Sequence, residues 1–271
     1  MGDYIVGMMW NKNEGDLLRD TIASALQHVD TLVIADDGSD DNSWDIIKEF
    51  AGSHKDQIEH IQQAPNKADK AQRHALLNVI KSRYRPEDTW VQIIESDIMI
   101  LETDVRRAIK ERGGNNTFII WKLLNATIPD YQKWPDVDEY PNWSKPIQEI
   151  MTHAHILERM KYTFRPFKEI TYERQDRWRP WPSGLSQPYP DALTEYTPLL
   201  AHYGYRGPKH YHKKFYLDRG ISVGPKNKDR ILTSPESVFA TVPLFNGEWT
   251  SNPNPFPMSR KGFLERERGH W

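Results

Sequence analysis

The segment that most constrains the fold of this chain is residues 31–43, Thr-Leu-Val-Ile-Ala-Asp-Asp-Gly-Ser-Asp-Asp-Asn-Ser. An apolar strand leads directly into a cluster of carboxylates and hydroxyls, and the residues that follow have the pattern of a helix. Strands that end in polar side chains just before a helix are typical of open α/β sheets, which bind nucleotides at the carboxyl ends of their strands. The segment therefore predicts an α/β fold with a ligand site at the end of this strand.

A second strand with acidic residues at its end covers residues 90–97, Trp-Val-Gln-Ile-Ile-Glu-Ser-Asp. Side chains at positions i and i+2 of a strand point the same way, so we expect Glu95 and Asp97 to reach one ligand together. We also expect Asp97 to be exposed at the tip of its strand. Carboxylates bind the hard divalent cations that neutralise phosphate charge. The two strands together predict a site for a nucleotide diphosphate and its metal.

Strand-like and helix-like segments alternate regularly through the first 125 residues. This βαβα order favours a mostly parallel central sheet with helices on both faces. Ser43 is the predicted N-cap of the second helix. We predict strands at 4–9, 31–35, 58–61, 91–94 and 118–123, and helices at 16–28, 43–50, 67–84 and 104–112.

From residue 126 the sequence becomes irregular and contains most of the 19 prolines. One helix is predicted at 146–160, and the segment 162–174 is predicted to be rich in strand. We therefore predict a single continuous domain with two halves, a nucleotide-binding half at 1–125 and an irregular half at 126–271 whose C-terminal loops shape a second site.

Composition and charge exclude several classes of protein. The chain has no cysteine, which excludes disulfides, Cys-ligated zinc and thiol catalysis. Its 36 basic and 38 acidic residues nearly balance, so no global field attracts nucleic acid or membrane. The N-terminus has the pattern of a first strand rather than a signal peptide, and no segment approaches the roughly 20 apolar residues of a transmembrane helix. We expect a soluble, cytoplasmic protein.

Three motifs carry a resemblance to a known family. Asn13-Glu14 precedes an amphipathic helix, Asp36-Asp37-Gly38-Ser39 follows a strand, and Glu95-Ser96-Asp97 ends a later strand. Together they resemble the signature of family 2 glycosyltransferases with the Rossmann-like GT-A fold, whose DxD motif has Glu in its first place here. The resemblance covers roughly residues 4–110, with weaker similarity at 196–220.

The resemblance implies an inverting, metal-dependent glycosyltransferase. Such an enzyme moves one sugar from a nucleotide-diphosphate sugar, by default a UDP-hexose, to an acceptor hydroxyl. The resemblance also implies roles for individual residues. Asp97 is the direct metal ligand, and Glu95 contacts the ribose or a metal-bound water. Asp36 and Asp37 contact the base and ribose, the backbone near Asn13 and Glu14 frames the base, and Arg73 faces the nucleotide. His74 replaces the family's usual Asn.

The second half of the chain supplies the remaining candidates. By resemblance His202 completes the metal site, with His210 and His212 as alternatives, and an imidazole ligand favours Mn²⁺ over Mg²⁺. An inverting transfer needs a general base. For that role we select Asp176 first and Glu173 second, with Asp138 and Glu139 as further possibilities. The family's processive branch carries Gln-x-x-Arg-Trp, and Gln175-Asp176-Arg177-Trp178 is one residue short of it, which favours single transfer.

The acceptor stays open between a glycan, a small molecule and a nucleic acid. Residues 202–230 contain eight Lys or Arg and two Asp. This basic segment is consistent with a loop that closes on the donor diphosphate, with a site for a polyanion, or with a solvated surface loop. Two alternatives to the main hypothesis follow: a glycosyltransferase that acts on modified nucleobases in DNA, and an inactive GT-A domain that serves as a binding module. A nucleotidyltransferase is disfavoured because no glycine-rich loop follows the first strand.

Overall fold

The computed structural model describes residues 3–63, 69–101, 105–114, 117–127, 153–172, 182–185 and 199–203. Strands and helices alternate through most of this part of the chain. The strands are β1 Tyr4–Asn11, β2 Thr31–Asp36, β3 Ile58–Gln63, β4 Thr89–Glu95, β5 Ile98–Leu101, β6 Phe118–Thr127, β7 His153–Phe164 and β8 Leu199–His202. The helices are α1 Leu18–Leu26, α2 Ser43–Ser53, α3 Asp69–Arg83 and α4 Val105–Arg112.

The strands lie in the order β3-β2-β1-β4-β7-β6-β8-β5. Strand β1 pairs in parallel with both β2 and β4, and β2 pairs in parallel with β3, whereas β4 pairs antiparallel with β7. The predicted α/β fold with a mostly parallel sheet is confirmed. The register places Asn11 opposite Asp36 and Trp10 opposite Glu95. The acidic ends of β2 and β4 therefore flank the end of β1 at one edge of the sheet.

The central strands are apolar because helices cover the sheet. Every residue of β2 is buried, as is every residue of β1 after Tyr4. Strands buried on both faces have nearly continuous apolar sequences rather than alternating ones. Helix α1 follows the helical period instead, and its buried residues Leu18, Ile22 and Ala25 lie on one side.

The chain divides into two compact units. The first comprises residues 1–122 and 159–200 and contains β1 to β5 and all four described helices. The second comprises residues 123–158 and 201–271, of which the structure describes 123–127, 153–158 and 201–203. The predicted functional division at residue 125 stays a prediction.

The helix predicted at 146–160 is wrong over its described part, because residues 153–160 belong to β7. Ala, Leu, Glu, Arg and Met in this segment all favour a helix locally, but propensity is a weak preference that tertiary contacts override. Strand β7 pairs with β4 through Thr163 and Phe164. The strand-rich prediction for 162–174 is right for 162–164, which belong to β7, and wrong for the described residues 165–170; an isolated bridge then joins Thr171 to Ser183.

The predicted N-cap of α2 is wrong by one residue. Asn42 occupies the N-cap position without a side-chain hydrogen bond, and Ser43 is the first helical residue. The amide of Ser43 donates instead to Asp41 Oδ1, at 2.9 Å. An aspartate two residues upstream therefore satisfies an amide at the start of this helix.

A buried polar network joins β7 to β4 and β6. The Thr163 hydroxyl donates to Gln92 Oε1 and accepts from Trp121 Nε1, both at 2.6 Å. All three residues are fully buried. A buried polar group without a hydrogen-bond partner destabilises the fold, and the Thr163 hydroxyl provides that partner for both Gln92 Oε1 and Trp121 Nε1.

The substitution Thr163→Val should lower the free energy of unfolding by about 1–3 kcal/mol, because it leaves Gln92 Oε1 and Trp121 Nε1 without this partner. Urea denaturation followed by circular dichroism measures the change. Ser82→Ala is the matched control, since it removes an exposed hydroxyl that donates to the carbonyl of Val79 within its own helix. Equal midpoints for the two variants would contradict the prediction.

Candidate active site at the carboxyl ends of the strands

The loop that follows β1 and the loop that follows β2 are held together by hydrogen bonds. Ser39 Oγ accepts from the amide of Asn13 at 2.8 Å, and Asn13 Oδ1 accepts from the amide of Asp40 at 2.7 Å. Asp41 Oδ2 accepts from the amide of Gly15 at 2.9 Å. Asn13 has a φ of 53°, a left-handed conformation that asparagine tolerates better than most residues. The two loops thus form one preorganised wall of the site.

Asp36, at the end of β2, is fully buried beneath this wall. Its Oδ2 accepts from Asn11 Nδ2 at 2.8 Å and from Ser39 Oγ at 2.6 Å. Its Oδ1 accepts from the amide of Ser39 at 2.9 Å. Both carboxylate oxygens are thereby engaged inside the protein, and Asp36 stabilises the turn that presents the next residue. Its predicted contact with the base or ribose stays a prediction.

Asp37 is more accessible, with 13% of its side chain exposed. Its Oδ1 accepts from Gln72 Nε2 at 2.8 Å, and its Oδ2 lies 3.5 Å from Lys12 Nζ. The same Gln72 nitrogen lies 3.2 Å from the carbonyl of Asp36. Gln72 is buried and was not identified from the sequence, where its only signal is its place next to Arg73. Helix α3 therefore holds one carboxylate oxygen of Asp37, and Lys12 lies near the other.

Arg73 extends from α3 to the ends of β1 and β4. Its guanidinium lies over the ring of Trp10, 4.1 Å from the centroid, as in a cation–π contact. One terminal nitrogen lies 3.8 Å from Glu95 Oε1. Only 8% of the Arg73 side chain is exposed, against 25% for Glu95, so solvent screens this pair less than a surface pair. The structure thus brings two of the predicted nucleotide-binding residues together.

Tyr162, on β7, contacts the other oxygen of Glu95. Its hydroxyl donates to Glu95 Oε2 at 2.6 Å, and its side chain is fully buried. Burial, followed by the nearby charge of Glu95, raises the pKa of Tyr162 well above its ordinary value. The hydroxyl therefore remains a proton donor throughout the physiological pH range. Tyr162 was not identified from the sequence, because its position depends on the pairing of β7 with β4.

Asp97 lies in the turn between β4 and β5 rather than on a strand. Strand β4 ends at Glu95, and Ser96 and Asp97 form the turn. The prediction that Glu95 and Asp97 share one face of a strand is therefore wrong, as is the predicted exposure of Asp97, which is 4% exposed. The carbonyl of Ser96 accepts from Thr21 Oγ1 at 2.8 Å, so α1 holds the turn in place.

The carboxylates of Glu95 and Asp97 are oxygen donors of the kind that Mn²⁺ and Mg²⁺ bind. Among the residues that the structure describes, no group of three or more His, Asp or Glu side chains is arranged to hold a metal. His202 is buried at the end of β8, in the second unit. Its role as a metal ligand stays a prediction.

Glu14 is buried at the start of α1, where its carbonyl accepts from the amides of Leu17 and Leu18. Several other predicted residues lie outside the described ranges. These are the general-base candidates Asp176, Glu173, Asp138 and Glu139, the alternative metal ligands His210 and His212, and the basic segment beyond residue 203.

Comparison with solved structures gives distant similarities. S. aureus TarS 1-349 is 12% identical, with a TM-score of 0.40, over 84% of this chain and 69% of that one. The same fragment in complex with UDP is 14% identical, with a TM-score of 0.35, over 60% of this chain and 47% of that one. The mannosyltransferase PcManGT from Pyrobaculum calidifontis, in complex with GDP-Man and Mn²⁺, is 14% identical, with a TM-score of 0.34, over 49% of this chain and 37% of that one. This chain thus spans less than half the length of the last two.

A search of curated protein sequences found no match. In the part of the chain that the structure describes, no helix has the length and apolar character needed to cross a membrane. The sequence model described as Glycosyl transferase family 2 matches residues 8–173, more than half of the chain. The matched range includes both loops of the wall, Arg73, Glu95, Asp97 and Tyr162. The chain belongs to glycosyl transferase family 2 and is a glycosyltransferase with the GT-A fold.

Proposed function

We propose that the protein is a metal-dependent, inverting enzyme that transfers one hexose from a UDP-hexose to an acceptor hydroxyl. The observation that carries this proposal is the arrangement at the carboxyl ends of β1, β2 and β4. Asp37 follows β2 and accepts a hydrogen bond from Gln72 of α3. Glu95 ends β4 beside Arg73, and Asp97 occupies the turn that follows. Family membership supports the use of a nucleotide-sugar donor.

The first half of the chain, residues 1–125, binds the donor in this proposal. Asp37 is the better placed of the two neighbouring aspartates to contact the base and ribose, because Asp36 is enclosed by Asn11 and Ser39. The backbone of Asn13 and Glu14 frames the base. Arg73 places a positive charge beside the nucleotide, where negative charge grows as the glycosidic bond breaks.

Asp97 would ligate the divalent cation, with His202 as a further ligand that favours Mn²⁺ over Mg²⁺. Glu95 would contact the ribose or a cation-bound water. A bound cation neutralises charge on the leaving diphosphate. These assignments fit the chemistry of the oxygen donors in the turn after β4.

The second half, residues 126–271, binds the acceptor and supplies the general base in this proposal. Asp176 takes the proton of the acceptor hydroxyl, with Glu173 as the second candidate. The acceptor oxygen forms a bond to the anomeric carbon as the bond from that carbon to the diphosphate oxygen breaks. Attack from the face opposite the leaving group inverts the configuration.

Calorimetric titration of UDP, GDP, CDP and dTDP, each with and without Mn²⁺, tests the donor assignment. We expect UDP to bind most tightly, with an affinity that rises at least about tenfold when Mn²⁺ is present, which corresponds to roughly 1.4 kcal/mol. Tighter binding of another diphosphate would replace UDP as the donor nucleotide. Binding of none of the four would contradict the proposed function. Metal-dependent hydrolysis of the matching nucleotide sugar without acceptor separates an enzyme from an inactive binding module.

A further inference from the structure

We propose that Tyr162 is a positioning residue for donor binding, which holds the carboxylate of Glu95 in the orientation that the donor requires. This inference rests on the proposed function and adds to it a residue of β7. Tyr162 is fully buried, and its hydroxyl donates to Glu95 Oε2 at 2.6 Å. The buried ring therefore holds the hydroxyl in a fixed position, and the hydroxyl orients the partly exposed side chain of Glu95.

Glu95 needs such a partner because its other contact is loose. The terminal nitrogen of Arg73 lies 3.8 Å from Glu95 Oε1, beyond the range of a hydrogen bond. An electrostatic attraction at that distance keeps the guanidinium and the carboxylate close together but does little to set the orientation of the carboxylate. The hydrogen bond from Tyr162 is short, at 2.6 Å, and this makes it the contact that sets the orientation of the carboxylate.

The orientation of the carboxylate is important because residue 95 is a glutamate. Glutamate stands where the family's DxD motif has its first aspartate, and it is longer by one methylene group. A longer side chain has more rotamers and loses more entropy when a ligand orders it. Tyr162 restricts the carboxylate before the donor binds, so that the side chain of Glu95 loses less conformational entropy on binding.

Glu95 keeps acceptor capacity after both contacts are made. A carboxylate has about four lone-pair sites, and Tyr162 uses one of them. The remaining sites suit the hydroxyls of a ribose or a cation-bound water, which are hydrogen-bond donors. With 25% of its side chain exposed, Glu95 is open to such a ligand. Tyr162, being buried, acts on the ligand through Glu95.

The test is a double-mutant cycle on nucleotide binding. The probe is whichever of UDP, GDP, CDP and dTDP the unmodified protein binds most tightly, titrated with Mn²⁺. Tyr162→Phe keeps the ring and removes only the hydroxyl, and we expect the Kd to rise about tenfold. On the Glu95→Ala background the same change should alter the Kd less than about twofold, because no carboxylate is left to position.

Thr163→Val is the matched control. It also removes a buried hydroxyl from β7, but one that contacts Gln92 and Trp121 rather than Glu95. We expect it to shift the urea midpoint and leave the Kd unchanged. A general loosening of β7 would instead weaken binding in Thr163→Val as well as in Tyr162→Phe.

An unchanged Kd in Tyr162→Phe would overturn the inference, as would an equal effect of that change in the presence and absence of Glu95, or an equal loss of affinity in Thr163→Val. Urea midpoints of every variant establish that each one is folded at the assay temperature. A failure of the proposed function is distinguishable, because the unmodified protein itself would then bind none of the four diphosphates. That outcome would overturn both.

Discussion

Replacing Asp97 by Asn should abolish the manganese-dependent part of nucleotide binding while the protein stays folded. The expected loss of affinity in the presence of Mn²⁺ equals the gain that Mn²⁺ gives the unmodified protein, at least about tenfold, because an amide lacks the charge with which a carboxylate ligates a hard cation. Asparagine is the informative replacement because Asp97 is only 4% exposed, and alanine would also remove buried volume. Calorimetry with and without Mn²⁺ measures the effect.

Asp45→Asn is the matched control for Asp97→Asn. Asp45 is an exposed aspartate on α2 that pairs with Lys48 at 2.7 Å, so its replacement changes the net charge equally. We expect this control to bind as the unmodified protein does, because exposed ion pairs contribute little. If Asp97→Asn retained its manganese-dependent affinity, the metal site would lie elsewhere in the chain.

Replacing Asp36 by Ala should lower the free energy of unfolding by about 3–5 kcal/mol, because several hydrogen bonds to a buried charged group are lost together. The Asn11 side-chain amide and the Ser39 amide and hydroxyl would lose a carboxylate acceptor inside the protein. The free energy of unfolding comes from urea denaturation, with the slope m compared to exclude a change in the unfolded state.

The neighbouring substitution Asp37→Ala separates stability from binding. Asp37 is partly exposed, accepts a hydrogen bond from Gln72 at 2.8 Å and lies 3.5 Å from Lys12, so we expect a destabilisation of about 1.5 kcal/mol, smaller than that of Asp36→Ala. Nucleotide affinity should nevertheless fall about tenfold, which corresponds to the loss of one good ligand contact. A larger loss of stability in Asp37→Ala than in Asp36→Ala would contradict the division of roles between the two residues.

Much of the fold was predictable because its signals are local in the sequence. Every strand and helix predicted in the first 125 residues is present, although β5 was not predicted. Buried parallel strands have continuous apolar runs and amphipathic helices have a regular period, so each can be recognised without knowledge of its partners. The acidic edge was predictable for the same reason, since parallel strands end at a common edge.

The errors occur where contacts distant in sequence decide the structure. Residues 153–160 have good helix formers and yet belong to β7, which pairs with β4 through Thr163 and Phe164. The strand argument for Glu95 and Asp97 failed because β4 ends at Glu95, two residues earlier than that argument required, and Thr21 of α1 holds the turn that follows. In the sequence, β7 is far from β4, and Thr21 is far from the turn that it holds.

The α/β class, the mostly parallel sheet and the chemical character of its acidic edge follow from the sequence alone, because apolar periodicity and strand ends are properties of short segments. The role of each acid, in contrast, depends on the tertiary contacts of its side chain. Asp36 is enclosed by Asn11 and Ser39, and Glu95 is held by Tyr162, a residue that reaches it only because β7 pairs with β4. Identical carboxylates become buried supports or open ligands according to the donors that surround them, and those donors come from distant parts of the chain.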